Sequence, residues 1–87
     1  MALTFPNVSR SYDAERHRVR FWGHDNAMEV QFFLDENALF RLDPKTKNVE
    51  AAMLQTFDAW RERIHEVAGK VYAFNRRAFY TLAATDF

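Results

Sequence analysis

An α+β fold is what this sequence predicts, with a small, mainly antiparallel sheet packed against one long helix and a short helix ahead of it. Three observations predict it. Apolar and polar residues alternate between Arg18 and Leu34, apolar residues recur every three or four positions from Val49 to Phe74, and the chain closes on an aromatic run from Phe79. The chain has 87 residues, 48% of them hydrophobic, with two glycines and two prolines. That is room for a single domain over residues 1–87, with enough apolar side chain to offset ordering entropy and no composition suited to disorder or linkers.

Residues 1–17 read as an N-terminal strand or arm. Leu3 to Phe5 is β-prone and is stopped by Pro6-Asn7, as suits an edge strand or a tucked arm. Ser9 to Arg16 mixes Ser, Asp, Glu and Arg around Tyr12 and reads as turn-rich. Residues 18–35 read as a β-hairpin. Arg18-Val19-Arg20-Phe21-Trp22 alternates, Gly23-His24-Asp25-Asn26 is a turn cluster, and Met28, Val30, Phe32 and Leu34 mark the second strand. Asp35 is a candidate cap for a short helix over residues 36–42, with Glu36 in its first turn, and Asp43-Pro44 ends it.

Val49, Met53, Phe57, Trp60, Ile64, Val67, Val71 and Phe74 then form a stripe that predicts one long helix over 48–76. Gly69 is the expected site of a bend, since glycine inside a helix costs about 1 kcal/mol against alanine. A final strand is expected over 79–84.

Composition excludes several functions. Twelve basic residues balance twelve acidic ones, so no net field draws the chain to nucleic acid or anionic lipid. The segments differ, at +2 over residues 1–24, −4 over 25–44 and +2 over 45–87. Such alternation suits head-to-tail pairing, or simply a solvated surface. Arg76-Arg77 is explained by the negative end of the helix before any phosphate is invoked. Cysteine is absent, which removes disulfides, thiolate metal sites and thiol nucleophiles. No apolar run approaches the roughly 18 residues of a membrane span, and the N-terminus lacks a secretory pattern, so no membrane contact and a cytoplasmic location are the expectation.

The candidate catalytic groups each have a plainer structural reading. Glu62 and His65 stand at i, i+3, a spacing used in di-iron bundles. Those sites need two such pairs and two further glutamates, and here there is one copy. His24-Asp25 sits in the turn cluster, His17 lies among charged neighbours, and Ser9 and Ser11 have no nucleophile elbow around them. Arg61 and Arg63 diverge by about 200 degrees around a helix and make no basic stripe. The expectation is therefore no enzyme, no metal and no cofactor.

What asks for a partner is the pairing of aromatics: Phe21-Trp22, Phe32-Phe33 and Phe79-Tyr80. Neighbouring strand residues point to opposite faces, so each pair loads both sides of the sheet. One face, with Val19, Phe21, Val30, Phe32, Tyr80 and Leu82, suits the underside of the helix. The other carries Trp22, Phe33 and Phe79 among Arg18, Arg20, Glu29, Gln31 and Thr81. Three occupants compete for it. The arm or the short helix folds over it; or a second copy or partner protein covers it, since Trp, Phe and Arg are favoured at interfaces; or single-stranded nucleic acid stacks on it. Against the last stand the zero net charge and the missing glycine-aromatic signature of the common RNA-binding sheet. The expected role is a non-enzymatic interaction module, self-associating through Arg18, Arg20, Trp22, Phe33 and Phe79 or through the Trp60 side of the helix. Self-association would also supplement the modest core of so short a chain. A weak single-stranded nucleic-acid binder is the alternative.

Val19-Arg20-Phe21 before Gly-His-Asp, Asp35-Glu36-Asn37-Ala38-Leu39 opening a short helix, Phe57, Arg61, Ile64, Ala68 and Tyr72, then Leu82 and Asp86-Phe87 together resemble a family of short bacterial proteins, domain-of-unknown-function family fourteen-eighty-eight. The resemblance runs over most of the chain from Val19. It implies a small α+β cytoplasmic protein of bacteria, and brings with it no reaction, cofactor, partner or catalytic residue. Ala59-Trp60 departs from the family's polar residues ahead of Arg61, which marks Trp60 as a contact peculiar to this chain.

Overall fold

The structure, a computed structural model, describes residues 3–6, 9–74 and 77–87. Outside them lie Asn7 of the expected Pro6-Asn7 stop, the last positions of the helix predicted to residue 76, and the Arg76 half of Arg76-Arg77. Five strands and three helices follow in the order β1 (Leu3–Thr4), β2 (Arg10–Asp13), β3 (Arg18–Asp25), β4 (Met28–Asp35), α1 (Glu36–Leu42), α2 (Glu50–Ala59), α3 (Arg61–Phe74) and β5 (Phe79–Leu82), with a 3-10 turn at Ala84–Asp86.

The sheet runs β1-β3-β4-β5, and β2 joins β1 along the outer edge of β3. Every pairing is antiparallel except β4 with β5, which is parallel. A parallel neighbour needs a crossover connection, and the three helices between β4 and β5 supply it. The α+β fold with a mostly antiparallel sheet is therefore as the sequence predicts.

One face of the sheet holds the core. Val19, Phe21, Val30, Phe32, Leu34, Tyr80 and Leu82 are buried together with Ala38 and Leu39 of α1, Met53 and Phe57 of α2, and Ile64, Val67, Ala68 and Tyr72 of α3. The aromatic rings form a continuous line: Phe57 to Phe21 at 5.1 Å between centroids, Phe21 to Phe32 at 5.3 Å, Phe32 to Tyr80 at 5.2 Å, and Tyr80 to Tyr72 at 5.7 Å. Each such ring taken from water contributes about 1.5–3 kcal/mol. The Tyr72 hydroxyl donates to the Asp25 carboxylate and ties α3 to the tip of the hairpin.

Four local expectations are corrected. The stretch over Ser9–Arg16 contains a strand, β2, whose Tyr12 packs against the core while Ser11 and Asp13 face the other way. Gly23, His24 and Asp25 belong to β3 rather than to the turn, which shrinks to Asn26-Ala27 with Asn26 at φ 57. A Cβ on Gly23 would lie 2.8 Å from the Phe5 ring and 2.9 Å from the Thr4 carbonyl oxygen, so glycine is what lets the N-terminal arm lie on β3. Asp35 occupies the N-cap position of α1 without a side-chain capping bond.

The fourth correction concerns the long helix. It breaks at Trp60 (φ −107, ψ 18) and continues without interruption through Gly69. A continuous helix over 48–76 would be roughly 43 Å long, whereas the longest dimension of the molecule is 35 Å. The break lets both halves stay on the sheet. The Asp58 carboxylate at the end of α2 fixes it there, accepting hydrogen bonds from Arg10 of β2 at 3.0 and 2.8 Å and from Arg61 of α3 at 2.6 Å. Apart from its chain neighbours and its own helix backbone, no atom lies within 4 Å of a Cβ built on Gly69, so no packing contact there demands a bend. The break also rotates the apolar stripe. Met53, Phe57, Ile64 and Val67 stay inside, while Trp60 and Phe74 turn outward and Ala68 and Tyr72 take the inner positions.

Candidate interaction face

The strand register lays out the opposite face of the sheet in rows. Asp13, Arg18 and Asp35 form the first; Ser11, Arg20, Phe33 and Thr81 the second; Trp22, Gln31 and Phe79 the third; His24 and Glu29 the fourth. No residue of these rows is buried, because every helix lies on the other side. The described part of the N-terminal arm goes to the core side too, with Phe5 stacked on His65 and packed near Phe21 and Phe32. Neither the arm nor α1 covers the second face among the described residues, which removes the first of the three occupants considered above.

Five of the six residues singled out from the sequence meet here. Phe33 and Phe79 contact edge to face at 5.9 Å and 82°. The Arg18 guanidinium lies 3.6 Å from the centre of the Phe33 ring, while its Nε donates to Asp13 at 3.3 Å. The Arg20 guanidinium sits 5.7 Å from the Trp22 ring centre, and Phe79 is 54% exposed. Cation–π contact of this kind contributes about 0.5–1 kcal/mol at an exposed site. It also holds two long side chains flat against the sheet, so their ordering cost is met before anything docks.

Trp60 does not join them. It is 41% exposed at the junction of α2 and α3, in the helical layer on the core side. Sequence reasoning misses Ser11, Asp13 and His24 of this face, because β2 and the end of β3 look like turns, and Asp35, which looks like a helix cap. The alternation of Arg10-Ser11-Tyr12-Asp13 around an inward tyrosine was the signal that could have found the first two. It missed as well that Phe74, placed in the apolar stripe, is 91% exposed.

Asp13 illustrates the electrostatics of the face. Partial burial tends to raise its pKa, but bonds from the Arg16 backbone and the Arg18 side chain prevail and hold it below the usual carboxylate range. A hollow on the face, about 200 Å³, is lined by Arg20, Trp22, Glu29 and Gln31. Stacking, cation–π contact and ion pairing are the chemistry these groups offer. Of the groups weighed for metal binding, His65 is half-buried with its ring 3.9 Å from and parallel to Phe5, and burial, then the nearby Arg61, lower its pKa to about 4. Glu62 is exposed. Among the described residues no three His, Cys, Asp or Glu side chains gather as metal ligands, and no helix is long and apolar enough to cross a membrane.

A sheet with helices on one side and an aromatic, mixed-charge face on the other defines a small α+β protein. The chain belongs to the family of proteins of unknown function called DUF1488, whose sequence profile matches residues 3–83. It is similar in fold to a solved structure from Shewanella loihica, described as a protein of unknown function from the same family. That likeness has a TM-score of 0.79 and 19% identity, over 93% of this chain and 91% of the other. No curated protein matches the sequence.

Proposed function

We propose that this protein is a small non-enzymatic interaction module that self-associates through the open face of its sheet. The observation that supports this reading is the grouping of Trp22, Phe33 and Phe79 with Arg18 and Arg20 on the face that, among the described residues, no helix covers. Trp, Phe and Arg are the side chains that most often anchor protein contacts. Aromatic surface that stays in water forfeits the transfer free energy that a covering partner would recover.

Charge favours a protein surface over nucleic acid as the occupant. The two arginines share the face with Asp13, Glu29 and Asp35, and Asp13 already pairs with Arg18. A phosphate backbone laid across these rows would meet more carboxylates than guanidinium groups, whereas nucleic-acid binding draws its affinity from unopposed cations. A protein face that carries both signs meets no such penalty.

β3 and β4 are eight residues long, β2 and β5 four and β1 two; at about 4.8 Å between strands and about 3.3 Å per residue they give roughly 400 Å² per copy, so a pair would bury about 800 Å², the size of a weak, transient contact. Weak, concentration-dependent association is the expected outcome. Sedimentation velocity or light scattering from about 1 to 100 µM should show a rising mean mass, and Trp22→Ala should hold the protein monomeric with its circular dichroism unchanged. A monomer over the whole range, with Trp22→Ala indistinguishable from the parent, would sink the reading. A tryptophan fluorescence change on adding short oligonucleotides at low salt would favour the nucleic-acid alternative instead.

A further inference from the structure

We infer that the second copy docks with its two-fold axis along the Trp22-Gln31-Phe79 row, so that Arg20 of each chain meets Glu29 of the other. This rests on the self-association proposed above and adds its register. Arg20 and Glu29 are both exposed, and neither takes part in an ion pair among the described residues. They are the opposite rims of one hollow, about 200 Å³, whose remaining lining is Trp22 and Gln31. A cation on one rim and an anion on the other make the hollow complementary to its own two-fold image.

The register fixes which rotation achieves this. Arg20 belongs to the row on one side of Trp22 and Gln31, Glu29 to the row on the other side. Turning a copy about the line between those rows exchanges them, so the Arg20 row of one chain faces the His24-Glu29 row of the second. Glu29 then lies one strand over from Arg20, about 4.8 Å sideways, within reach of a guanidinium that already leans over Trp22. On the axis itself each Gln31 meets its own image, and an amide carries both the donors and the acceptor that such a pairing needs. Arg18 is a weaker candidate for the intermolecular contact, because Asp13 and the Phe33 ring already occupy its guanidinium.

In a two-fold dimer every contact occurs twice, so reversing one charge places two like-charge pairs in the interface. Arg20→Glu and Glu29→Arg should each weaken the dimer by about tenfold or more, and the double variant should recover most of the loss. Sedimentation velocity at 50 mM salt measures all three, with circular dichroism and a urea melt of each variant as the folding control. Both positions are exposed strand residues, so the variants are expected to fold. Recovery in the double variant supports the register. Losses that add in the double variant, or single variants that leave the dimer intact while Trp22→Ala dissociates it, overturn the register and leave the sheet-face reading standing. A parent that stays monomeric at 100 µM overturns both.

Discussion

The two faces of the sheet are built from alternate residues of the same strands, and their aromatics are almost equally dense. On the covered face Phe21, Phe32 and Tyr80 lie in a ring-to-ring line and are buried to within 3% of full burial. On the open face Arg18 lies over Phe33 and Arg20 beside Trp22, while Phe79 meets Phe33 edge to face and shows 54% of its surface. What separates the faces is therefore not the number of rings but the company the rings keep. A ring between Val, Leu and Ala has only other carbon to touch, so it is committed to the interior of its own chain. A ring under a guanidinium keeps a polar coat that is shed or kept as a partner comes and goes.

Substitution should separate the faces most sharply at their centres. Phe32→Ala leaves a cavity between Phe21, Tyr80 and Phe5. It should cost about 3–5 kcal/mol, most of the stability expected of a small domain. Phe79→Ala on the open face should change stability by no more than about 0.5 kcal/mol. Urea denaturation of both variants checks this. Equal losses would mean that the open face is part of the folding core after all.

The next largest effect falls where the arm meets the sheet. Gly23→Ala drives a methyl group into the Phe5 ring and the Thr4 carbonyl, and overpacking of that kind costs about 1–3 kcal/mol. The ring can rotate but the backbone oxygen cannot, so the expected result is detachment of β1 from β3. Faster exchange of the amides of Leu3 to Phe5, with those of β4 unchanged, is the measurement. Loss of the arm would expose the covered face locally without altering the open one.

Gly23 also shows where the sequence was legible and where it was not. Alternation in β3 and β4 and the six inward residues were plain, because period two is a local property of the strand and each inward position is strongly apolar. So was the grouping of Arg18, Arg20, Trp22, Phe33 and Phe79, since it follows from the same alternation once β5 is placed beside β4. What the sequence hid depends on distant contacts. Gly23 looks like a turn residue until Phe5 is seen lying on it. β2 is polar in composition and becomes a strand by pairing with β3. The break at Trp60 is set by the length of the sheet and by Arg10, 48 positions away from Asp58. A helix stripe read along the chain has no access to either.

Asp58→Asn tests that last point. The carboxylate holds Arg10 and Arg61 together, and burial, which raises its pKa, is outweighed by the bonds from those two side chains, which lower it. The pairs are well exposed, so the loss should be small, about 1 kcal/mol. The break itself should survive, because its other cause is geometric. A larger loss, or helical circular dichroism that rises as the two segments fuse, would show that the ion pairs create the break rather than stabilise it.

The smallest effect at neutral pH is expected at His65, and it separates the faces by proton rather than by volume. The imidazole stacks on Phe5 and Phe21 at the margin of the covered face. Burial, then Arg61, lower its pKa from 6.5 to about 4. The unfolded chain therefore binds a proton at a pH where the folded chain does not. Stability from this residue is fully present above about pH 6.5 and is lost as the pH falls toward 4, since protonation then favours the unfolded state. Asp13 and Asp58, whose pKa values are held below 3.8, lose their contribution only at more acid pH, so the two windows separate. His65→Phe keeps a ring against Phe5 and removes the proton. Its melting temperature should match that of the parent at pH 7.5 and fall less between pH 6.5 and 4. Equal slopes in the two proteins would place the acid sensitivity elsewhere.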